Sequence, residues 1–220
     1  MLAEWGDYLP SLLSGLAMSL KLAGASLLVG MPLGLTLALM VQAPLWVVRW
    51  VAIAIVELGR AVPALVLLQL AYYGLPTIHI TLTSFLAATA GLGWITAAYS
   101  SEMFRAGVAS VPEGQHEASA ALGLGRIDTY RSIVIPQGVR VALPALLGLA
   151  IQIFQATALA FTIGLPELLS QAYDIGNETF RYLSVLTLAG LLYAAVVLPA
   201  GALVRGIELR LGRHLAPGQR

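Results

Sequence analysis

The chain has 220 residues, of which 59% are hydrophobic and only 10% are charged, and its mean hydropathy is +0.85. A water-soluble protein of this size needs more charge on its surface, so this composition predicts a membrane protein. The net charge of +1 gives no basis for nucleic-acid binding, and the absence of cysteine excludes disulfides and thiolate metal sites.

Five apolar stretches predict five transmembrane helices, because each crossing needs about 20 mostly apolar residues. The first is long enough to tilt in the bilayer. The second carries Glu57, Arg60 and Pro63 within its apolar run. We therefore expect an all-α, polytopic membrane protein with spans at 15–41, 52–75, 82–103, 139–163 and 182–204.

The positions of the arginines predict the orientation of the chain. Arginines cluster in the first connection, the third connection and the C-terminal tail, whereas the second connection has no basic residue. Basic connections remain in the cytoplasm, so we expect the N-terminus outside and the C-terminus in the cytoplasm. The arginines concerned are Arg49, Arg60, Arg105, Arg126, Arg131, Arg140, Arg205, Arg210, Arg213 and Arg220.

Two spacings within the spans predict specific contacts. Gly30 and Gly34 form a G-x3-G pattern, which is typical of close packing between helices. Glu57 precedes Arg60 by three residues, and Glu102 precedes Arg105 by the same spacing. Oppositely charged side chains at this spacing lie on one helix face and can form an ion pair.

The third connection is a long polar loop, residues 112–138, whose pattern predicts a short helix. Pro112 and Gly114 punctuate its start, and Glu117–Leu122 is rich in alanine. Gly123 suits a helix C-terminus, and an acid at the helix start would favour the helix dipole. Taken alone, the segment could be an ordinary surface connector or a helix that docks on a partner.

The loop resembles the EAA motif of type I ABC importers, whose family pattern is E-A-A-x3-G-x9-I-x-L-P. Ser119 replaces the second alanine and Ile135 replaces the leucine. The resemblance implies the ABC transmembrane type-1 fold and a coupling helix that docks on a cytoplasmic ATPase. The residues that it assigns to this coupling are Glu117, Ala118, Ser119, Gly123, Ile133 and Pro136.

Other segments are similar to the polar amino-acid permeases of the histidine/glutamine type, so that the resemblance covers a permease domain of about 15–210 between short termini, 1–14 and 211–220. It implies a transporter in the bacterial inner membrane with a second permease subunit, identical or not, two cytoplasmic ATP-binding subunits and an extracytoplasmic solute-binding protein. The permease itself would contact membrane lipid. The segments are Val56–Pro63, Tyr72–Pro76, Ala98–Gly107 and Ile163–Leu169.

One segment departs from this family. Where its members read K-D-T-S-L, this chain has Gln155-Ala156-Thr157-Ala158-Leu159. Ala156 cannot pair with a substrate amino group, so either the substrate is held differently or a second subunit supplies the charge. The substrate-pathway candidates are Gln155, Thr157, Glu57 and Arg60.

The chain lacks the signatures of an enzyme. Its one lysine, Lys21, is not part of a phosphate-binding loop, and no catalytic or metal-binding motif occurs. We expect no cofactor on this chain and ATP hydrolysis in a partner subunit. The resemblance therefore implies the permease subunit of an importer for a polar amino acid or a related small zwitterion. The alternative is an ion-coupled secondary transporter of small solutes.

Overall fold

The computed structural model describes residues 4–215, and the side chains of residues 4–211. This part of the chain is helical and contains no β-strand, which confirms the all-α prediction. Most of the predicted terminus 211–220 lies outside the described side chains. The helices are α1 Trp5–Met40, α2 Trp46–Ala61, α3 Ala64–Gln69, α4 Ser84–Ala109, α5 Glu113–Ala121, α6 Arg126–Thr129, α7 Ile135–Ala156, α8 Leu168–Thr179 and α9 Tyr182–Leu215.

Four short segments depart from α-helical geometry. Two are π-helical, Leu70–Gly74 and Tyr130–Val134, and the second leads directly into α7. The other two are 3-10 turns, Leu75–Ile78 and Thr157–Ile163, and the latter extends α7 towards α8.

Within the described residues, three helical stretches are long and apolar enough to cross a membrane: Trp5–Met40, Arg126–Ile163 and Tyr182–Leu211. A bent pair, Trp46–Ala61 with Ala64–Ile78, makes a fourth if it forms one span. The remaining long helix, α4, covers the predicted span 82–103 but is less apolar. The number of five spans therefore stays a prediction.

The predicted span 52–75 is broken in the middle rather than being one continuous helix. The chain bends by 107° between α2 and the helical stretch that follows it. Val62 and Pro63 are extended at the bend, with ψ angles of 129° and 139°. Proline lacks a backbone N–H and disfavours helical geometry in the residue before it, so α2 ends at Ala61.

The α1–α4 contact is close because two glycines of α1 face α4. A Cβ atom added at Gly30 would lie 2.6 Å from the carbonyl oxygen of Gly93, and one at Gly34 would lie 2.8 Å from that of Ala97. Carbon and oxygen atoms do not approach so closely without strain. The predicted G-x3-G helix contact is confirmed.

The central position of α4 follows from similar contacts on its other sides. Against α7, a Cβ added at Gly138 would lie 2.9 Å from the Cα of Val108. Against α2, one added at Gly59 would lie 2.8 Å from the Cβ of Ala98. The helix α4 therefore contacts α1, α2, α3 and α7, and small residues allow each of these approaches.

Glu167, directly before α8, links α8 to α1 and α9. Its side chain is fully buried and accepts hydrogen bonds from the backbone N–H groups of Leu169, at 3.0 Å, and Ser170, at 2.8 Å. Ser19 of α1 donates to the same carboxylate at 3.3 Å, and Tyr193 of α9 donates to it at 3.0 Å. The carboxylate thus caps α8 and joins three helices.

Alanine substitutions at two glycines of α1 should change stability in opposite directions. We expect Gly34→Ala to destabilise the protein by about 1–3 kcal/mol, because the added methyl group overpacks the α4 contact. Gly24→Ala is the matched control, because a Cβ at Gly24 meets no atom within 4 Å. It should stabilise the helix by roughly 0.5–1 kcal/mol. Thermal unfolding in detergent measures both, and a Gly34→Ala protein as stable as wild type would contradict the packing argument.

Glu167→Ala should destabilise the protein by at least about 2 kcal/mol, because each of two buried N–H groups loses its acceptor at a cost of roughly 1–3 kcal/mol. Glu178→Ala is the control, since Glu178 is an exposed acid on the same helix, α8. It should change stability by no more than about 0.5 kcal/mol. Equal unfolding temperatures for the two variants would show that the carboxylate does not hold these helices together.

Candidate functional site

The loop between α4 and α7 forms a short, well-terminated helix, α5, over Glu113–Ala121. Gly123, just beyond it, has a φ of 73°, a conformation that glycine adopts at little cost. The N–H of Gly123 donates to the carbonyl of Ala120, and the N–H of Leu124 donates to that of Ser119, both at 3.0 Å. This is the Schellman arrangement, and it confirms the predicted helix end at Gly123.

The end of α5 presents apolar groups to solvent. Leu122 is 78% exposed and Ile127, just after the turn, is 81% exposed. Ala118 and Ala121 on α5 are exposed as well. Large exposed apolar side chains on a polar loop are typical of a surface that another protein covers. We refer to Ala118, Ala121, Leu122 and Ile127 as the docking patch.

Ser119 is buried, unlike the residues of the docking patch. It is 1% exposed, and its hydroxyl donates to the carbonyl of Gln115 at 2.6 Å. Gln137 of α7 donates to the side chain of Gln115 at 3.4 Å, and the rings of His116 and Tyr130 lie 5.8 Å apart. Ser119 therefore lies on the inner face of α5, among the contacts that hold this helix against its own chain.

Three other loop residues take separate positions. The sequence interpretation put an acid, Glu117, at the start of the helix, but α5 begins at Glu113 and Glu117 lies one turn further on. The reason is that Pro112 starts the helix, being extended and having no N–H to satisfy. Glu117 is exposed, as is Pro136 at the start of α7, whereas Ile133 is half-buried in the π-helical segment.

The neighbouring helices α2 and α4 each carry one ion pair. Glu57 accepts from Arg60 at 3.3 Å, and Glu102 accepts from Arg105 at 2.6 Å, so both predicted pairs are confirmed. The Arg60 guanidinium lies 6.0 Å from the centre of the Tyr99 ring, which links the two helices by a cation–π contact. All four charged side chains keep a substantial exposed fraction.

The two candidates near the end of α7 differ in accessibility. Gln155 is exposed, so its amide is available to a solute or a partner. Thr157 is fully buried, and its hydroxyl donates to the carbonyl of Phe154 at 2.7 Å. The substrate contact predicted for Thr157 stays a prediction; in this structure its one donor is used by the backbone at the α-to-3-10 transition.

The predicted residues thus form separate groups. Within the described side chains, no hydrogen bond joins Glu57 or Arg60 to Gln155 or Thr157. No cluster of three metal-binding side chains occurs in this part either. The sequence interpretation gave no role to Glu167, the buried carboxylate with the most contacts. The sequence feature that could have revealed this role is an acid directly after Pro166 and before an apolar helical run, which is typical of a helix N-cap.

The chain is similar over nearly its whole length to bacterial permeases. It is 32% identical to the arginine transport system permease protein ArtQ of Bacillus subtilis, covering 92% of this chain and 93% of ArtQ. It is 36% identical to the octopine transport system permease protein OccM of Rhizobium meliloti, covering 94% and 88%. It is 34% identical to the probable amino-acid ABC transporter permease protein YckA of Bacillus subtilis, covering 94% and 91%.

Solved structures give the same fold. An amino acid ABC transporter crystallised with histidines contains a chain that is 32% identical, with a TM-score of 0.90 over 96% of this chain and 98% of that one. The inward-facing MetNI methionine ABC transporter shares the fold alone, at 22% identity and a TM-score of 0.64 over 87% and 91%. Residues 30–213 match the family described as the inner membrane component of binding-protein-dependent transport systems, and the chain belongs to this family of membrane permeases.

Proposed function

We propose that this chain is the permease subunit of an ATP-driven importer that moves a polar amino acid or a related small zwitterion into the cytoplasm. The observation that carries the proposal is the docking patch at the end of α5, where Leu122 and Ile127 are mostly exposed although both are large and apolar. The names of the relatives support an amino-acid substrate.

The complete transporter would contain four further polypeptides or copies. We propose a second permease subunit, identical or related, two cytoplasmic ATP-binding subunits and an extracytoplasmic solute-binding protein. ATP would bind and react in the ATPase subunits, since this sequence contains no phosphate-binding loop. Membership of the binding-protein-dependent family supports this set of partners.

In this proposal α5 acts as the coupling helix. The Schellman turn at Gly123 and the inward contact of Ser119 give α5 a fixed end and a fixed face. The docking patch would fit a groove of the ATPase, and Glu117 beside it would offer a charged partner. Closure of two ATPases would move the paired coupling helices and convert the permease between two discrete states.

The solute pathway would use the exposed polar groups of α2 and α7. Charged groups within apolar surroundings are costly and usually face a water-filled cavity. Glu57 and Arg60 present both signs of charge, which suits a zwitterion, and Gln155 adds an exposed amide. Because Ala156 has no charge, a carboxylate for the substrate amino group would come from elsewhere in this chain or from the second permease subunit.

We propose five spans in the bacterial inner membrane, with α4 as the third. Although α4 is less apolar than its neighbours, α1, α2, α3 and α7 surround it, so its glycines and hydroxyls meet protein rather than lipid. The arginine distribution supports an N-terminus outside and a cytoplasmic α5.

Leu122→Glu should weaken coupling without preventing membrane insertion, because it places a charge in the docking patch. We expect association with the ATPase subunit to weaken by a factor of about thirty, since loss of a central interface contact typically costs about 2 kcal/mol. ATP-dependent uptake of labelled amino acids into proteoliposomes should fall with it. Leu122→Met is the matched control and should retain both activities, because methionine keeps the size and apolar character of leucine.

Two outcomes of this experiment would contradict the proposal. Unchanged ATPase copurification with Leu122→Glu would remove α5 from the contact with the ATPase. Uptake that continues without ATP and collapses when an ionophore dissipates the ion gradient would instead support a secondary transporter.

A cysteine at Gln115 should be shielded from a membrane-impermeant thiol reagent in intact cells, whereas one at Asp174 should react. Gln115 lies on α5 and Asp174 on α8, and both side chains are exposed. The chain has no cysteine of its own, so the reagent reports each site alone. Labelling at Gln115 before cell lysis would reverse the proposed orientation.

A further inference from the structure

Three cavities lie along α7 and α9 and share lining residues with their neighbours, so we treat them as one groove. At the loop end, the first cavity is lined by Ser110–Pro112 together with Gln137, Arg140, Val141 and Leu211. The second, of about 490 Å³, shares Arg140, Val141 and Leu211 with it and adds Glu208. The third shares Val204 with the second and reaches α1. We call this the α7–α9 groove.

The far part of the groove is apolar and lies on helices that are apolar enough to cross a bilayer. Its walls belong to α1, α7 and α9, the helices of the three stretches apolar enough to cross a membrane. Every side chain that lines this part is uncharged and apolar: Leu20, Ala23, Gly24, Leu27, Leu147, Ala150, Ile151, Phe154, Val196, Val197, Ala200, Leu203 and Val204.

The near part of the groove carries one charge of each sign. Among the described side chains that line the three cavities, those of residues 4–211, only Arg140 and Glu208 are ionisable. Both are exposed, and they do not form an ion pair with each other within 4.0 Å among the described side chains. A cation and an anion held apart in one cavity are complementary to a ligand that carries both charges.

The length of the groove matches one leaflet of a bilayer. Arg140 and Ile151 are eleven residues apart on α7, which is about 17 Å at roughly 1.5 Å per residue. Half of a hydrocarbon core that is ≈ 30 Å thick is about 15 Å. A molecule whose charged end lies at Arg140 would therefore extend its apolar part to the middle of the membrane.

From these observations we infer that the α7–α9 groove binds a phospholipid whose headgroup carries a primary ammonium, as in phosphatidylethanolamine. Arg140 binds the phosphate by charge-assisted hydrogen bonds, and Glu208 accepts from the ammonium. One acyl chain lies in the apolar part of the groove. The inference does not depend on which solute the permease moves, and it goes beyond the proposed transport function.

The test compares three lipids with identical acyl chains on the full-length permease: phosphatidylethanolamine, phosphatidylcholine and phosphatidylglycerol. Native mass spectrometry in detergent measures how many molecules of each bind and how tightly. Wild type should prefer phosphatidylethanolamine, because choline has no N–H to donate to Glu208 and glycerol has no positive charge. Equal binding of all three lipids, or a second copy of the chain on this face instead of lipid, would overturn the inference.

Two charge variants should separate the two contacts. Arg140→Gln should weaken phosphatidylethanolamine binding by about tenfold, which is the effect expected from the loss of a hydrogen bond to a charged group. It should also weaken the binding of the other two lipids, because all three carry the phosphate. Glu208→Gln should remove the preference for phosphatidylethanolamine while leaving phosphatidylglycerol binding equal or tighter. Retention of that preference in Glu208→Gln would exclude the proposed ammonium contact.

Two further variants provide controls. Arg205→Gln removes an exposed arginine of α9 that does not line the groove, so it should leave all three affinities unchanged. Ala150→Phe should fill the apolar part of the groove. It should weaken the binding of all three lipids without changing their order of affinity. Because the ratio of two lipids is measured on the same sample, it remains informative even where a variant lowers the yield of folded protein.

Discussion

The transmembrane part of this protein depends on how closely α4 approaches its neighbours. Lipid tails are as apolar as leucine, so helices gain little from burying apolar side chains and associate mainly through close packing and hydrogen bonds. Glycines supply that closeness at three faces of α4, where Gly34, Gly59 and Gly138 leave no room for a Cβ atom. The positions of α1, α2 and α7 all follow from these contacts.

Three buried hydroxyls of α4 are satisfied within the helix, which explains how α4 can be less apolar than the other long helices. Thr96, Ser100 and Ser101 are buried, and each hydroxyl donates to a carbonyl of its own helix three or four residues earlier. Glu167 uses a different solution, because a carboxylate cannot donate when charged and needs several donors at once. It receives them from α1, α8 and α9, and so one buried acid fixes three helices.

Features that repeat along the sequence were predictable, whereas those that depend on tertiary contacts were not. The apolar runs and the G-x3-G spacing predicted helices and one contact correctly, and Gly123 predicted the end of α5. The bend at Pro63 was visible as a residue, but hydrophobicity continues across it and suggested one span. Thr157 was proposed from its residue type and position, whereas its burial depends on how the 3-10 turn packs, which no local pattern encodes.

The same distinction applies to the loop. Spacing alone matched Ser119 to the family's motif but could not indicate which face of α5 it occupies, since that depends on the contact between Gln115 and Gln137 across 22 residues of chain. The exposure of Leu122 and Ile127 is likewise a property of the folded loop. The residue types predicted the helix α5, whereas only its packing against the rest of the chain shows which of its side chains are exposed.

The contact between Gly138 and Val108 has a mechanical consequence for the loop that it encloses. A Cβ at Gly138 would lie 2.9 Å from both the Cα and the backbone nitrogen of Val108, so the two stems of the loop are clamped together where they leave the membrane. In the coupling role proposed for α5, a force on this helix would act on α4 and α7 together, because the two stems are packed backbone to backbone at this point.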